Sequence, residues 1–345
     1  MKGTFRAIGP SGFGTYIVDL DSGTWTPTDA QDAPLMAPGF VDIHFHGAFG
    51  IDFMTSDADQ QTELAQQLDA IGYDKVLFTT VTALVEDVTR AIEGLPSHPV
   101  VAGFHLEGPF ISPVFPGAQP AAFIQNPAEH GDKWEEVLNH PGLKLVTLAQ
   151  EIPGGYELIA QLTERHVVSS LGHTNATFEE CVMAADAGAR HTTHTFNAMR
   201  PLHHREAGTV GFALLDDRIR TELIYDRIHV SPPAARVLVR AKSDKIIAVS
   251  DSTMASGLKE GTELFMWGLE CVVGKGQVRL KNGTLAGSAI TLADAFQNLA
   301  QDFGPELAIR SCCLNPRSVV GNPPIRQWLV FDEQFKVVDR YRLEA

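Results

Sequence analysis

The sequence predicts an α/β fold: a (β/α)8, TIM-like barrel with a small β-sandwich appendage formed by the two chain termini. Between residues 40 and 251, eight short apolar runs alternate with longer segments whose apolar residues recur every three or four positions. Such alternation is typical of a parallel barrel. A doubly wound open sheet is the competing architecture, but it normally has a glycine-rich phosphate loop after its first strand, and none follows here.

The eight predicted strands are the runs 40–46, 75–82, 100–107, 143–151, 167–174, 191–197, 221–226 and 245–251. Helical spacing between them is clearest over 57–71, 177–187 and 232–241. We assign residues 37–321 to the barrel, with a glycine-rich β-hairpin insertion near 264–285. Residues 1–36 and 322–345 hold strand-like pieces broken by Gly, Pro and Asp, which predicts a small β domain.

Composition limits the classes of function. The 345-residue chain is 44% hydrophobic and 20% charged, which is ordinary for a globular protein. Its net charge of −15 argues against a nucleic-acid partner and against an anionic membrane surface. No apolar run is long enough to span a bilayer, and the first residues lack the apolar core of a signal peptide. The four cysteines show no Cys-x-x-Cys spacing, so we expect reduced thiols in a cytoplasmic protein.

The first predicted strand carries two histidines near its end. Because side chains alternate along a strand, Val41 and Ile43 should face away from Asp42, His44 and His46. Two imidazoles two residues apart on one face can converge on a single metal ion. The alternative is a histidine pair at a strand mouth that only hydrogen-bonds other groups.

Four further strands end in residues that can bind a metal, and this favours the metal site. Barrel active sites lie at the carboxyl ends of the strands, where Glu107, His173, His194 and Asp251 are expected. Histidine and carboxylate ligands without thiolate suit Zn²⁺, and also Fe²⁺, Co²⁺ or Mn²⁺. A carboxylate at the rim, for which Asp251 is the natural candidate, can transfer the proton in hydrolysis at a carbonyl.

Several segments resemble a known family. Residues 38–47 and the late Asp251 are similar to the amidohydrolase superfamily. Within it, the chain resembles the N-acetylglucosamine-6-phosphate deacetylases in four segments: 105–110, 172–177, 193–199 and 285–288. The resemblance runs from about residue 37 to about residue 320. It implies a barrel hydrolase that converts N-acetylglucosamine 6-phosphate to glucosamine 6-phosphate and acetate in amino-sugar catabolism.

The resemblance also implies roles for particular residues. Glu107, His173 and His194 would hold the main metal, and His44 and His46 would join Glu107 around a second, giving one or two divalent ions per chain. Asp251 would take a proton from the attacking water and return it to the leaving amine.

The family's sugar-phosphate contacts correspond to other positions. Asn197 and Ala198 would meet the sugar or phosphate, and Arg205 and His229 would hold the phosphate. Part of this site can come from a neighbouring subunit in the family, which implies a homodimer.

Departures from the family pattern bear on which substrate is expected more than on which reaction is expected. Gln119 stands where a sugar-contacting histidine is usual, Ala207 replaces a proline, and Arg227 replaces a glycine. N-acetylgalactosamine 6-phosphate or an N-acyl amino acid therefore remains an alternative substrate. A catalytically inactive sugar-phosphate binding protein is the non-enzyme alternative.

Overall fold

A computed structural model describes residues 1–129, 131–281, 283 and 285–343. Positions 282 and 284 of the predicted hairpin insertion and 344–345 of the predicted terminal domain lie outside these ranges. In chain order the strands are β1 (Lys2–Gly9), β2 (Gly12–Asp19), β3 (Thr24–Pro27), β4 (Leu35–Pro38), β5 (Phe40–Phe45), β6 (Gly47–Ala48), β7 (Ile51–Asp52), β8 (Tyr73–Thr79), β9 (Val101–Glu107), β10 (Leu143–Leu148), β11 (Val168–Leu171), β12 (His191–Thr192), β13 (Arg220–Ile224), β14 (Ile246–Val249), β15 (Glu263–Met266), β16 (Leu269–Val273), β17 (Gln277–Leu280), β18 (Leu285–Ser288), β19 (Gln327–Phe331) and β20 (Val337–Arg342).

The helices lie mainly between the barrel strands. They are α1 (Ala58–Ala70), α2 (Val85–Glu93), α3 (Glu135–Leu138), α4 (Gly155–Glu164), α5 (Phe178–Ala187), α6 (Gly208–Leu215), α7 (Pro232–Lys242), α8 (Leu292–Phe303) and α9 (Pro305–Ile309). Capping boxes fix the starts of α1 and α5, where Asp57 and Thr177 each accept a hydrogen bond from the backbone three residues on. Among the described residues, we find no helix with the length and apolar character needed to cross a bilayer.

Eight parallel strands form the barrel, which confirms the predicted fold class. Their order is β14-β13-β12-β11-β10-β9-β8-β5. Backbone hydrogen bonds bring the two ends of this sheet together at the carboxyl end: Asp251 N donates to the His44 carbonyl (3.0 Å), and His46 N donates to the Ser252 carbonyl (2.8 Å). Asp42 strengthens the same seam, since its Oδ1 accepts from Ser250 N and His44 N, each at 3.3 Å. The closure therefore uses the same segments that carry the candidate site residues.

The first barrel strand departs from the predicted two-face arrangement. Val41 and Ile43 pack in a cluster with Leu77, Leu145, Ile224, Ile247 and Val249, which come from the barrel strands and fill the interior. Phe45 belongs instead to the outer core between the sheet and the helices. Pairing with β8 is irregular between Asp42 and Phe45, so Ile43 and the next residue, His44, both lie on the interior side. The predicted separation of Val41 and Ile43 from the histidines is wrong, because an irregularity of this kind shifts the alternation by one residue.

Strands from both ends of the chain share one six-stranded sheet, ordered β20-β19-β4-β1-β2-β3. β19 pairs antiparallel with β4, with Trp328 opposite Pro38. This confirms a terminal β appendage, although the boundaries 1–36, 37–321 and 322–345 stay a prediction. The insertion after the eighth barrel strand is a four-stranded antiparallel sheet, β15-β16-β17-β18.

Candidate active site and metal centre

The predicted ligands and the predicted proton carrier meet at the carboxyl end of the barrel, and all are buried: His44, His46, Glu107, His173, His194 and Asp251. Each lies at the end of a barrel strand or within two residues of it. The fold therefore brings together residues that are more than 200 positions apart in the chain.

Glu107 lies at the centre of this cluster. Its Oε1 is 3.2 Å from the Nε2 atoms of both His173 and His194, and 3.4 Å from His44 Nε2. Its Oε2 is 3.3 Å from His46 Nε2. One carboxylate therefore contacts all four imidazoles, which is the arrangement expected of a group shared between two cation positions.

Asp251 lies next to the two histidines of the first strand segment, His44 and His46. Its Oδ1 is 3.3 Å from His46 Nε2 and 3.5 Å from His44 Nε2. Two sets of atoms are close enough to surround an ion: His44, Glu107 and His194 form one, and His44, His46 and Asp251 form the other.

The hydrogen bonds of the histidine Nδ1 atoms, which point away from Glu107, show that these histidines and carboxylates fit a metal ion. His46 Nδ1 is 3.1 Å from the Thr79 carbonyl, and His173 Nδ1 is 3.0 Å from the Phe115 carbonyl. Because a carbonyl only accepts, each Nδ1 carries a proton; Nε2 then faces Glu107 either with a second proton or, in the neutral ring, with a lone pair that can bind a metal ion. In either state a positive charge, a proton or a metal ion, must lie between each Nε2 and the carboxylate at this distance. Divalent metal ions suit this set of nitrogen and oxygen donors.

The pKa shifts of the cluster point to the same need for positive charge. Burial alone would lower the pKa of His46, but its hydrogen bonds to Asp251 and Glu107 raise the pKa to about 9. Burial alone would raise the pKa of Glu107, but the charge of His44 and the hydrogen bonds of His173 and His194 hold the pKa well below its ordinary value. The carboxylate is therefore ionised and must be balanced by protons or by a cation.

Three of these residues have left-handed backbone conformations: φ is 47° at His173, 27° at His194 and 46° at Asp251. Such conformations are costly for residues with a side chain and concentrate at functional sites. Asp251 is held in place from both sides, because its N–H donates to the His44 carbonyl and its carbonyl accepts from Ser288 N at 2.9 Å. A Cβ at Gly287 would lie 2.6 Å from Thr253 Cγ2, so the approach of β18 requires a glycine there.

Four of the five predicted substrate contacts line the same pocket: Gln119, Asn197, Ala198 and His229. His229 Nδ1 is 2.6 Å from Asp226 Oδ2. Burial would lower the pKa of His229, but this contact outweighs it and raises the pKa. The ring therefore holds a proton more readily than a free imidazole, which suits an anionic ligand.

Gln119 is engaged at both ends of its amide. Its Nε2 donates to Glu107 Oε2 at 2.6 Å, and its Oε1 accepts from Thr82 N at 2.7 Å. The fifth predicted contact, Arg205, is exposed, lies outside the pocket lining and has its Nη1 2.7 Å from His204 Nε2. Its role, which involves a neighbouring subunit in the resembled family, stays a prediction.

The other departures from the family pattern lie outside the pocket lining. Arg227 has a φ of 67°, and its Nε donates to Asp302 Oδ2 on α8 at 2.7 Å. Its guanidinium is thus held by that helix. Ala207 directly precedes α6.

Glu222 and Trp267 also belong to the site, although neither was predicted from the sequence. Glu222, in the middle of β13, has its Oε2 3.3 Å from His44 Nδ1 and accepts from His194 N at 3.2 Å. A charged residue inside an apolar run was the available signal. Trp267 reaches the pocket from the β15–β16 hairpin, and no spacing in the sequence indicated this.

Comparisons with known proteins identify the family of this chain. The model of the amidohydrolase family matches residues 35–323. The N-acetylglucosamine-6-phosphate deacetylase of Bacillus subtilis (strain 168) is 37% identical over 281 residues, which cover 77% of this chain and 70% of the relative. The N-acetylgalactosamine-6-phosphate deacetylase of Escherichia coli O157:H7 is 34% identical over 84% of this chain and 79% of its own length. The chain also resembles a solved structure of a mutant N-acetyl-D-glucosamine-6-phosphate deacetylase from Mycobacterium smegmatis in complex with N-acetyl-D-glucosamine-6-phosphate. The two superpose with a TM-score of 0.85 and are 28% identical, and the match covers 99% of this chain and 98% of that chain.

This chain belongs to the amidohydrolase family and is a hydrolytic enzyme. Within that family, the predicted likeness to N-acetylglucosamine-6-phosphate deacetylases is confirmed.

Proposed function

We propose that this enzyme hydrolyses the N-acetyl amide of N-acetylglucosamine 6-phosphate, releasing glucosamine 6-phosphate and acetate. The main support is the contact of Glu107 with four imidazoles, with Asp251 beside it, at the base of one pocket. The names of the relatives support the same substrate class. The resemblance to the deacetylases implies a role for this reaction in amino-sugar breakdown.

The residues divide into two candidate metal positions. Glu107, His173 and His194 would hold one divalent ion, and His44, His46 and Glu107 would hold the second. Nitrogen and oxygen ligands favour Zn²⁺, with Fe²⁺, Co²⁺ and Mn²⁺ as alternatives. A bound ion would polarise the amide carbonyl and make water a better nucleophile near neutral pH.

Asp251 is the proposed general base and acid. Burial would raise its pKa, but the hydrogen bond from His46 and the charges of His44, His46 and His194 lower it. The carboxylate is thus ionised at neutral pH and can take a proton from the water that attacks the carbonyl carbon. It then gives the proton to the amide nitrogen as the carbon–nitrogen bond breaks, so the sugar leaves as a neutral amine.

The remaining pocket residues would position the sugar phosphate. Asn197 and the backbone at Ala198 lie beside the cluster, and His229 offers a ring that holds a proton more readily than a free imidazole. Gln119 lines the part of the pocket that would contact the sugar. Arg205 would complete the phosphate contact from a neighbouring copy, and we therefore propose a homodimer.

N-acetylgalactosamine 6-phosphate is the second candidate substrate. The observation that favours it is Gln119, whose amide is bonded to Glu107 and Thr82 where the resembled family usually has a sugar-contacting histidine. A changed sugar contact affects which epimer binds, but not the chemistry at the amide.

A panel of substrates tests both candidates by acetate release. We expect the highest kcat/KM on N-acetylglucosamine 6-phosphate and a much lower value on the unphosphorylated sugar, because the phosphate contacts are lost. A higher kcat/KM on the galactosamine epimer would establish the second candidate. Release from an N-acetyl amino acid, with none from either sugar phosphate, would contradict both.

The histidine pair is expected to determine the number of metals. Replacing His44 with glutamine and His46 with asparagine should remove one ion per chain while leaving part of the activity, because Glu107, His173 and His194 remain. Metal content per chain, measured by elemental analysis, is the direct test. The matched control changes the exposed neighbours His203 and His204 in the same way and should keep the full content. Loss of all metal from the first variant would contradict the proposal that Glu107, His173 and His194 hold the main ion without help from His44 and His46.

A further inference from the structure

The hairpin that joins β15 to β16 places an indole in the active-site pocket. Met266 pairs with Leu269, so the turn has two residues, Trp267 and Gly268, with φ of 53° and 83°. A two-residue turn with positive φ at both positions normally carries asparagine, aspartate or glycine. Tryptophan at such a position opposes the local preference. Residues that break a local rule in this way concentrate at functional sites.

The indole is fixed in position by a buried carboxylate. Trp267 Nε1 donates to Asp52 Oδ2 at 3.1 Å. The other oxygen of Asp52 accepts from both the backbone N–H and the hydroxyl of Thr55, each at 3.1 Å. Asp52 ends β7, a few residues after His46, so the hairpin is tied to the same chain segment that carries a predicted metal ligand.

The indole lines the pocket beside the ring of His46. The two ring centroids are 5.4 Å apart with an interplanar angle of 68°. His46 Nε2 in turn is 3.3 Å from Asp251 Oδ1. The indole is therefore separated from Asp251, the proposed proton carrier, by a single imidazole ring.

The arrangement of the pocket indicates which part of a substrate meets the indole. Asn197 follows β12 and His229 follows β13, whereas His46 follows β5 on the far side of Asp251. A sugar phosphate held by Asn197 and His229 leaves its acyl group as the part directed toward His46 and Trp267. An apolar ring is a suitable wall for a methyl group and a barrier to a longer chain.

We propose that Trp267 closes the acyl end of the pocket and restricts this enzyme to short N-acyl groups, with acetyl preferred. This assignment rests on the proposed function, since it takes the substrate to be an N-acylated hexosamine phosphate. One methylene in an apolar pocket changes kcat/KM by about 10- to 200-fold. Truncating the indole therefore should relax the discrimination between acyl chains by at least about tenfold.

The test compares kcat/KM for the N-acetyl, N-propionyl and N-butyryl forms of glucosamine 6-phosphate. Wild type should favour acetyl strongly, and Trp267→Ala should lower the acetyl-to-butyryl ratio by about tenfold or more. Trp267→Phe, which keeps an aromatic ring, should give an intermediate ratio. Phe265→Ala is the matched control, because Phe265 lies on the same hairpin with 69% of its surface exposed, and it should leave the ratio unchanged.

The ratio is independent of the fraction of enzyme that is active, so a partly folded variant still gives a valid result. An unchanged ratio in Trp267→Ala or Trp267→Phe, with acetate release intact in wild type, would overturn the assignment and leave the proposed function standing. A wild type that cleaves none of the three substrates would overturn both.

Discussion

Replacing Asp251 with asparagine is expected to lower kcat by about 10²- to 10⁴-fold, which is the usual contribution of a positioned proton carrier. The amide keeps the shape of the side chain but cannot take a proton from the attacking water or return it to the amine. The backbone of Asp251 is held by His44 and Ser288, independently of its carboxylate. The left-handed conformation at this position should therefore survive, and asparagine tolerates such a conformation well.

The decisive measurement is acetate release together with metal content per chain. We expect the Asp251→Asn variant to retain metal at the Glu107–His173–His194 position, because Asp251 lies on the opposite side, next to the first strand. Asp302→Asn is the matched control: this carboxylate on α8 contacts Tyr225 and Arg227 away from the pocket, and its loss should leave kcat near that of wild type. Full activity in Asp251→Asn would refute the proton-transfer role.

Replacing Glu107 with alanine should abolish metal binding at both positions and, with it, measurable deacetylation. The expectation follows from the geometry, because both oxygens of this one carboxylate lie within 3.4 Å of imidazole nitrogens that belong to both candidate positions. Without it, four imidazoles would surround a position that has lost its central negative charge. Divalent ions prefer sites that supply such charge.

Elemental analysis, with titration of Zn²⁺ into the metal-free protein, measures the loss directly. The control is Glu180→Gln, which changes a carboxylate of the α5 capping box to the residue type that fills the same position in α1; it should keep the cap and the full metal content. A Glu107→Ala variant that still binds one tightly held ion would show that the histidines alone suffice at one position.

The barrel and the position of its site were predictable, because both follow from regular patterns. Alternating apolar runs marked the strands, and residues such as Glu107, His173 and Asp251 came directly after or at the end of them. Parallel strands place all such ends together, so convergence required no knowledge of distances.

Irregular backbone accounts for what the sequence did not predict. The run 191–197 is a strand only at His191 and Thr192, because the chain turns into left-handed conformations at His194 and Phe196. No glycine marks that change, nor the shift in alternation between Ile43 and His44. Strain of this kind is maintained by the surrounding structure, so a local pattern cannot reveal it.

Contacts between distant segments were the second source of error. In the sequence, Glu222 is only a charged residue inside an apolar run, and its contact with His44 becomes evident only in the structure. Trp267 lies in the insertion after the eighth barrel strand. The spacing of apolar residues there reflects the pairing of β15–β18 and does not indicate a contact with the barrel. Residues of this type become predictable only when the neighbouring segment is known.

The shared terminal sheet has a consequence for how the enzyme is made. β4 continues through Gly39 into β5, the strand that carries the histidine pair, and β4 is held by β19, near the other end of the chain. During synthesis β5 can pair with β8 early, but β4, which directly precedes it, acquires its partner β19 only when that late strand leaves the ribosome. Pairing between such distant segments is slow to form. Until then β4 keeps an open strand edge, and unpaired edges of this kind make a growing chain prone to aggregation.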